Sequence, residues 1–133
     1  MKSIFINLSN HPSSGWGREQ LAAAQQIGVV KDLPFPAVDP EIDETEICRL
    51  AEDYYKKIED LSRDFDKVTV LLEGEYTFTY ALTSLLKSNG IDVISACSRR
   101  EVIETMDSKG DYERMSKFRF IRFRKYQEGA CKK

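Results

Sequence analysis

The amino-acid sequence predicts an α/β domain, a three-layer sandwich around a mostly parallel sheet of about five strands with a basic edge strand at the C-terminus. Runs of strand-forming residues alternate with segments of helical periodicity along the 133 residues. The run at 68–72 (VTVLL) is a continuous run of β-branched and aliphatic residues, which is typical of a parallel strand covered on both faces. The run at 118–126 (FRFIRFRKY) interleaves aromatic and basic residues, and such charge suits an edge strand. We expect one domain over residues 1–126, followed by a basic tail at 127–133.

The first half of the chain predicts two strands and two helices. Residues 3–8 form the first strand, and a short helix at 18–27 ends at Gly28. A second strand at 29–35 stops at the prolines of LPFPAVDP. A long amphipathic helix then runs to Leu61, and Asp43 followed by Glu46 predicts its N-terminal cap.

The second half predicts three strands and two helices. The central strand at 68–72 leads into an apolar helical stripe at 78–86, which ends at the Ser-Asn-Gly of residues 88–90. Residues 91–96 form the fourth strand. Ser98 and Glu101 match the capping box S-x-x-E, so we expect a helix that begins there and ends before Lys109. The basic run at 118–126 is the fifth strand.

Charge is distributed unevenly, although the net charge is only −2. Residues 39–66 hold eleven acidic and four basic side chains, whereas residues 109–133 hold nine basic and three acidic ones. Such polarity can steer an anionic ligand to one face, or fit opposite faces of two subunits together. Because the basic groups are confined to one edge, we expect no duplex nucleic acid as a partner.

The cysteines and the hydropathy pattern predict a cytoplasmic protein. Cys48, Cys97 and Cys131 share no metal-type spacing, and an odd count without a secretory signal favours a reducing compartment. No apolar stretch approaches the roughly 18 residues that span a bilayer, so we expect no membrane partner.

Ligands of open α/β sheets lie at the carboxyl ends of the strands, where the loops at 9–17, 73–77 and 97–100 are predicted to gather. The first loop lacks both G-x-G-x-x-G and G-x-x-x-x-G-K-[ST], which disfavours dinucleotides and triphosphates. It combines small polar groups with rings that stack on a base: Ser9, Asn10, Ser13, Ser14, His11 and Trp16. In the alternative interpretation a serine caps the next helix, Trp16 is a lid on the core, and His11 is merely exposed.

The other two loops supply charge. Ser98, Arg99 and Arg100 offer a hydroxyl, N–H groups and guanidinium forks, which are groups that hold phosphate, although Ser98 also suits a plain helix cap. In the loop at 73–77, which includes Thr77, two glutamates flank Gly74. Because Gly74 has no side chain, a ligand or a neighbouring loop can approach the backbone closely there. The paired carboxylates of Glu73 and Glu75 could serve acid–base chemistry or bind a metal, but there is no further Asp or His at useful spacing, so we expect no metal. We expect no cofactor either. Any acid–base step by an imidazole must use the sole histidine, His11.

The loop NLSNHPSS after the first strand and the segment ACSRREV after the fourth resemble those of CRISPR-associated Rossmann fold proteins. The chain is most similar to small standalone members, some of which are ring nucleases. The resemblance follows the order of elements along most of the chain and implies a Rossmann-like fold. It also implies a homodimer that binds a cyclic oligoadenylate across its two-fold axis.

The resemblance further implies roles for individual residues. Ser9, Asn10 and His11 would line the ring, Ser98 would donate a hydrogen bond, and Arg99 and Arg100 would neutralise the phosphate. Cleavage would need no metal, because a ribose 2′-hydroxyl would attack the adjacent phosphate with His11, Arg99 and Arg100 as the catalytic groups. The remaining expected ligand contacts are Ser13, Ser14, Trp16, Gly74, Glu75 and Thr77. Two alternatives stay open: a nucleotide-binding module without catalysis, and a protein-interaction module that uses the acidic helix or the basic strand.

Overall fold

The computed structural model describes residues 1–127, 129 and 131, which form a five-stranded sheet and three α-helices. The predicted basic tail at 127–133 lies largely outside the described residues. In chain order the elements are β1 (Ser3–Leu8), α1 (Arg18–Ile27), β2 (Val29–Asp32), α2 (Glu44–Leu61), β3 (Lys67–Leu72), α3 (Tyr76–Ser88), β4 (Asp92–Met106) and β5 (Tyr112–Lys125). A short 3-10 turn, Ser13–Gly15, lies between β1 and α1. None of the described helices is long and apolar enough to cross a membrane.

The strands lie in the order β2-β1-β3-β4-β5. The first four are parallel, and β5 pairs antiparallel to β4 at one edge. The sheet is therefore mixed, and it curls as a half-barrel. The predicted α/β class, the mostly parallel five-stranded sheet and the basic edge strand are confirmed.

Helices cover both faces of the sheet, because alternate residues of a strand point to opposite sides. On one face, Ile4, Ile6 and Leu8 of β1 and alternate residues of β3 pack against α2 and α3. On the other face, Phe5, Leu71 and Ile94 pack against Ala24 of α1 and against Trp16. The connection after β1 thus leads to one face, and the connection after β3 leads to the other.

Several predicted helix ends are confirmed. The Asp43 side chain accepts a hydrogen bond from the Glu46 N–H at 2.9 Å and caps α2. The helix α1 ends at Gly28, whose N–H donates to the Ala24 carbonyl at 3.1 Å. A Cβ at Gly28 would lie 2.7 Å from the Ser3 carbonyl carbon and oxygen, so only glycine allows this close approach to β1.

The predicted helix after Ser98 is wrong. The strand β4 continues to Met106, and the antiparallel ladder with β5 runs from the pair Ile94–Lys125 to the pair Met106–Tyr112. A tight loop joins them, in which the Asp107 carboxylate accepts from two backbone N–H groups at 2.8 Å and Gly110 has a φ of 82°. The local capping-box pattern is therefore overruled by cross-strand pairing that is remote in sequence. The second strand is also shorter than predicted and ends at Asp32.

Candidate functional site

A cavity of about 500 Å³ lies at the carboxyl ends of β1 and β3, beside residues 96–98 of the longer strand β4. It is open on one side and lies on the face of the sheet that carries α1. Between β1 and β3 the connecting segments diverge to opposite faces, which creates a crevice at the strand ends. Its walls come from the loop after β1, the first turn of α1, the end of β3, the first half of β4, and β5: Ser9, His11, Gly15, Trp16, Gly17, Gln20, Leu71, Glu73, Ala96, Ser98, Phe118 and Phe120.

Hydrogen bonds fix the loop after β1. The amide nitrogen of Asn7, a residue only 2 % exposed, donates to the His11 carbonyl at 2.9 Å and to Asp32 at 3.0 Å. The Ser9 hydroxyl donates to the Asn7 side-chain oxygen at 2.7 Å. Ser13 donates to the Asp32 carboxylate through its N–H at 3.2 Å and its hydroxyl at 3.0 Å. The loop is thus tied to the end of β2, and Ser9 and Ser13 serve as its internal supports.

Trp16 combines the two roles that the sequence left open. Its indole ring packs edge-on against Phe5, with ring centroids 6.0 Å apart, and covers the core on the α1 side. Its Nε1–H donates to the His11 carbonyl at 3.1 Å. The ring is half-buried and its remaining surface lines the cavity, so Trp16 is both a lid on the core and a wall of the site.

The opposite wall is anchored by Glu73. Its Oε1 accepts hydrogen bonds from the Ser95 hydroxyl, at 3.0 Å, and from the Ala96 N–H, which joins the end of β3 to β4. Nearby, the Tyr126 hydroxyl donates to the Leu72 carbonyl at 2.9 Å. Burial raises the pKa of Tyr126, and the charge of Glu73 raises it further.

The remaining residues of the loop after β3 build the start of α3. The Glu75 carboxylate accepts from the Phe78 N–H and from the Thr77 hydroxyl, each at 2.7 Å, and caps the helix. The bond from the Phe78 N–H and then that from Thr77 lower the pKa of Glu75. Beside it, the Phe35 ring occupies the space where Gly74 would carry a Cβ. Of the two explanations for Gly74, the neighbouring segment is the group that approaches.

Arg99 points away from Ser98, because successive residues of a strand face opposite sides, whereas Arg100 lies on the same side of β4 as Ser98. Ser98 lines the cavity, whereas Arg99 borders a separate groove together with Arg122 and Arg124. The Arg100 guanidinium donates to the Ser116 hydroxyl, at 2.9 Å from Nη2. The cavity brings together four predicted site residues: Ser9, His11, Trp16 and Ser98. It does not include the others: Asn10, Ser13, Ser14, Gly74, Glu75, Thr77, Arg99 and Arg100.

The cavity is polar and aromatic rather than strongly basic. Within the described part of the chain its only charged wall residue is Glu73. Gly17, the N-cap of the ten-residue α1, has no side chain to bond the first N–H groups, and these groups attract anions. Among residues 1–127, 129 and 131, no three His, Cys, Asp or Glu side chains gather as a metal ion would require.

Eight wall residues were not named as site residues, and four of these have polar or aromatic side chains: Gln20, Glu73, Phe118 and Phe120. Glu73 lies in the predicted strand-end loop at 73–77, but it was considered there as one of two paired carboxylates and not as a ligand contact. The two phenylalanines reach the cavity only because β5 pairs with β4, and nothing local in their sequence indicates that contact.

One protein family has a model that matches residues 3–124, and it is described as the uncharacterized protein MJ1673 family. The match begins at the start of β1 and ends within β5, so it includes every residue of the cavity wall. No curated protein matches the chain.

Proposed function

We propose a ligand-binding function for this chain, which belongs to the uncharacterized protein MJ1673 family: it binds a nucleotide-type anion, of the cyclic oligoadenylate class, at the strand ends. The observation that carries the proposal is the cavity of about 500 Å³ at the crevice between β1 and β3. Its size lies within the ordinary range of small-molecule sites, about 300–1,000 Å³.

The topology supports this position for a ligand. The strand order 2-1-3-4-5 is that of a doubly wound α/β fold, in which ligands bind at the switch point between the first and third strands. We interpret the domain as a Rossmann-like three-layer sandwich on this basis, with α1 on one face and α2 and α3 on the other. The antiparallel β5 is the departure from that pattern.

The cavity walls offer the groups that a nucleotide needs. Trp16, Phe118 and Phe120 supply ring faces, and stacking of a base on such a ring contributes about 1–3 kcal/mol. Polar side chains such as Gln20, Glu73 and Ser98 suit the edge of a base or a ribose hydroxyl. The first turn of α1 suits a phosphate, because its N–H groups and the helix dipole favour negative charge.

A homodimer is part of the proposal. An isologous pair places two copies of the cavity about one axis, which suits a ring of repeated nucleotides. Binding is the first candidate and cleavage the second. The imidazole of His11 at the cavity favours cleavage, but Arg99 borders another groove and Arg100 contacts Ser116.

Isothermal titration calorimetry with cyclic tetraadenylate and cyclic hexaadenylate tests the proposal. Gln20→Tyr adds bulk to the cavity wall, and Gln26→Tyr makes the same change at an exposed position of α1. We expect one ring per two chains. The affinity should be at least about tenfold weaker in Gln20→Tyr, a loss of about 1.4 kcal/mol in binding free energy, and unchanged in Gln26→Tyr.

Mass spectrometry of the recovered ligand separates the two candidates, since an intact ring indicates binding and linear products indicate cleavage. In a thermal-shift screen, a ligand at a hundred times its Kd adds about 2.7 kcal/mol of stability. No heat and no shift with either ring, or with mononucleotides, would refute the proposal and favour a protein-interaction module.

A further inference from the structure

A β-bulge sorts the side chains of β5 onto two faces. Cys97 pairs with Arg122 and Ser98 pairs with Phe120, so Ile121 is an extra residue without a direct partner. Strict alternation without it would put Arg122 on the same face as Phe120. With the bulge, phenylalanines 118, 120 and 123 share the face of α1 and the cavity, while Arg122 and Arg124 turn to the other face.

The two arginines meet Arg99 in a groove of about 340 Å³, which we call the arginine groove. Its walls are Cys97, Ser98, Arg99, Ile121, Arg122 and Arg124, and all three arginines are exposed. No carboxylate of residues 1–127, 129 or 131 lies within 4.0 Å of these three guanidinium groups. Other basic side chains of the hairpin do have acidic neighbours, since Arg119 lies 3.9 Å from Glu19 and Lys125 lies 3.6 Å from Asp92.

This concentration of charge works against folding. Arg99 lies directly opposite Arg119 in the ladder, and like charges opposite one another destabilise an antiparallel pair. Protection of an edge strand requires charge, but it does not require several arginines in one groove. A bound anion would remove the repulsion.

We propose that the arginine groove binds phosphate groups of a single-stranded oligonucleotide, as a second anion site separate from the strand-end cavity. Guanidinium forks match phosphate geometry and remain charged at all physiological pH values. Arg122 and Arg124 are two residues apart, or about 6.6 Å along the strand, a spacing comparable to that of successive phosphates in an extended chain. Among the described residues no aromatic side chain lines the groove, so it contacts the backbone and not the bases.

A neighbouring hollow along the edge carries further basic groups beside one acidic group. Arg122 and Arg124 also border it, together with Lys67, Lys125 and Asp92, whose carboxylate lies 3.6 Å from Lys125. A ligand longer than the groove would therefore meet further basic groups. The inference does not depend on the function proposed for the cavity, because the two sites share only Ser98 as a wall residue.

Salt dependence measures the number of phosphates in contact. For a single strand, log K falls against log salt with a slope of about −0.7 per phosphate, so three contacts give a slope of about −2. A rise from 50 to 200 mM KCl should then weaken binding about 18-fold.

The test is fluorescence anisotropy of a labelled 12-nucleotide oligoadenylate over that salt range. The triple variant Arg99→Gln, Arg122→Gln, Arg124→Gln removes the groove's charge. A control with the same change in net charge carries Lys56→Gln, Lys57→Gln and Arg63→Gln, at exposed positions on and after α2. Thermal melts check that both are folded, which their exposed positions favour.

We expect the groove variant to bind at least about tenfold more weakly at 50 mM KCl, with a slope near zero, and the control to change less than about twofold. Gln20→Tyr should bind the oligonucleotide like the wild type, so failure of the cavity proposal and failure of this one are distinguishable. Inorganic phosphate should displace the oligonucleotide only weakly at matched ionic strength.

Three results would overturn the proposal. Equal losses in the groove variant and in the control would show that net charge alone acts. Full displacement by inorganic phosphate would assign the groove to the free ion. In the third result, the wild type binds no oligonucleotide but self-associates at low salt in light scattering, and the groove variant does not self-associate. That result would assign the groove to the acidic α2 of a second copy.

Discussion

Gly74→Ala tests how the loop after β3 is held against the rest of the domain. An added Cβ would lie 2.6 Å from Cε1 of Phe35 and closer still to two other ring atoms, whereas ordinary contacts begin near 3.4 Å. The ring would have to move by about 1 Å. It packs edge-on against Phe78, with ring centroids 5.2 Å apart, so the movement disturbs the core between the sheet and α3. Overpacking of this kind costs about 1–3 kcal/mol, and loss of the aromatic pair accounts for about 0.5–1.5 kcal/mol of it.

Urea unfolding followed by circular dichroism gives the free energy of unfolding for the wild type, Gly74→Ala, Phe35→Ala and the double variant. Gly74 does not have a positive φ, so alanine fits its backbone once the ring is absent. In the Phe35→Ala background we therefore expect Gly74→Ala to be nearly neutral, with a coupling energy of at least about 1 kcal/mol. Effects that add within about 0.5 kcal/mol would refute the reasoning.

Three further predictions concern the supports of the fold and of the site. Gly28→Ala should lower the free energy of unfolding by at least about 2 kcal/mol in urea titrations, because the added Cβ would meet backbone atoms of β1. As a control, Gly15→Ala has open space around its Cβ and should be nearly neutral. Hydrogen bonds lower the pKa of Glu75 from 4.5, so the stabilisation that its carboxylate provides is present above pH 4.5 and is lost as the pH falls through the lowered pKa. The difference in free energy of unfolding between the wild type and Glu75→Ala should therefore shrink from pH 6 to pH 3. A constant difference would contradict this prediction. Asp32→Ala removes the acceptor of both Ser13 hydrogen bonds, so hydrogen exchange of the backbone amides at 13–16 should accelerate. Unchanged protection of these amides would show that other contacts hold the loop.

The parts of the fold that could be predicted are those coded by local signals. The cap of α2 at Asp43 and the end of α1 at Gly28 need only neighbouring residues, and both are confirmed. The hairpin of β4 and β5 could not be predicted in the same way, because its outer part is exposed and is stabilised by pairing across a loop. Ser98 and Glu101 satisfy a helix-capping pattern there by coincidence, and local reasoning had no means to reject it.

The candidate site likewise has features that the sequence could predict and features that depend on strand pairing. The rule that ligands gather at strand ends needs only topology, and four residues chosen by it line one cavity: Ser9, His11, Trp16 and Ser98. It could not assign the direction of Arg99, since a strand in place of a helix sends that side chain to the opposite face from Ser98. The bulge at Ile121, which separates arginines from phenylalanines, depends on register and is not visible in the sequence.

Fluorescence of Trp16 during titration with cyclic tetraadenylate tests the central claim most directly. Trp16 is the only tryptophan of the chain and forms part of the cavity wall, so its emission responds to a ligand that enters the cavity. We predict a saturable change in emission whose midpoint equals the calorimetric Kd, lost in Gln20→Tyr and retained in Gln26→Tyr. Heat of binding without any change in Trp16 emission, or an unchanged titration in Gln20→Tyr, would contradict a nucleotide site at these strand ends.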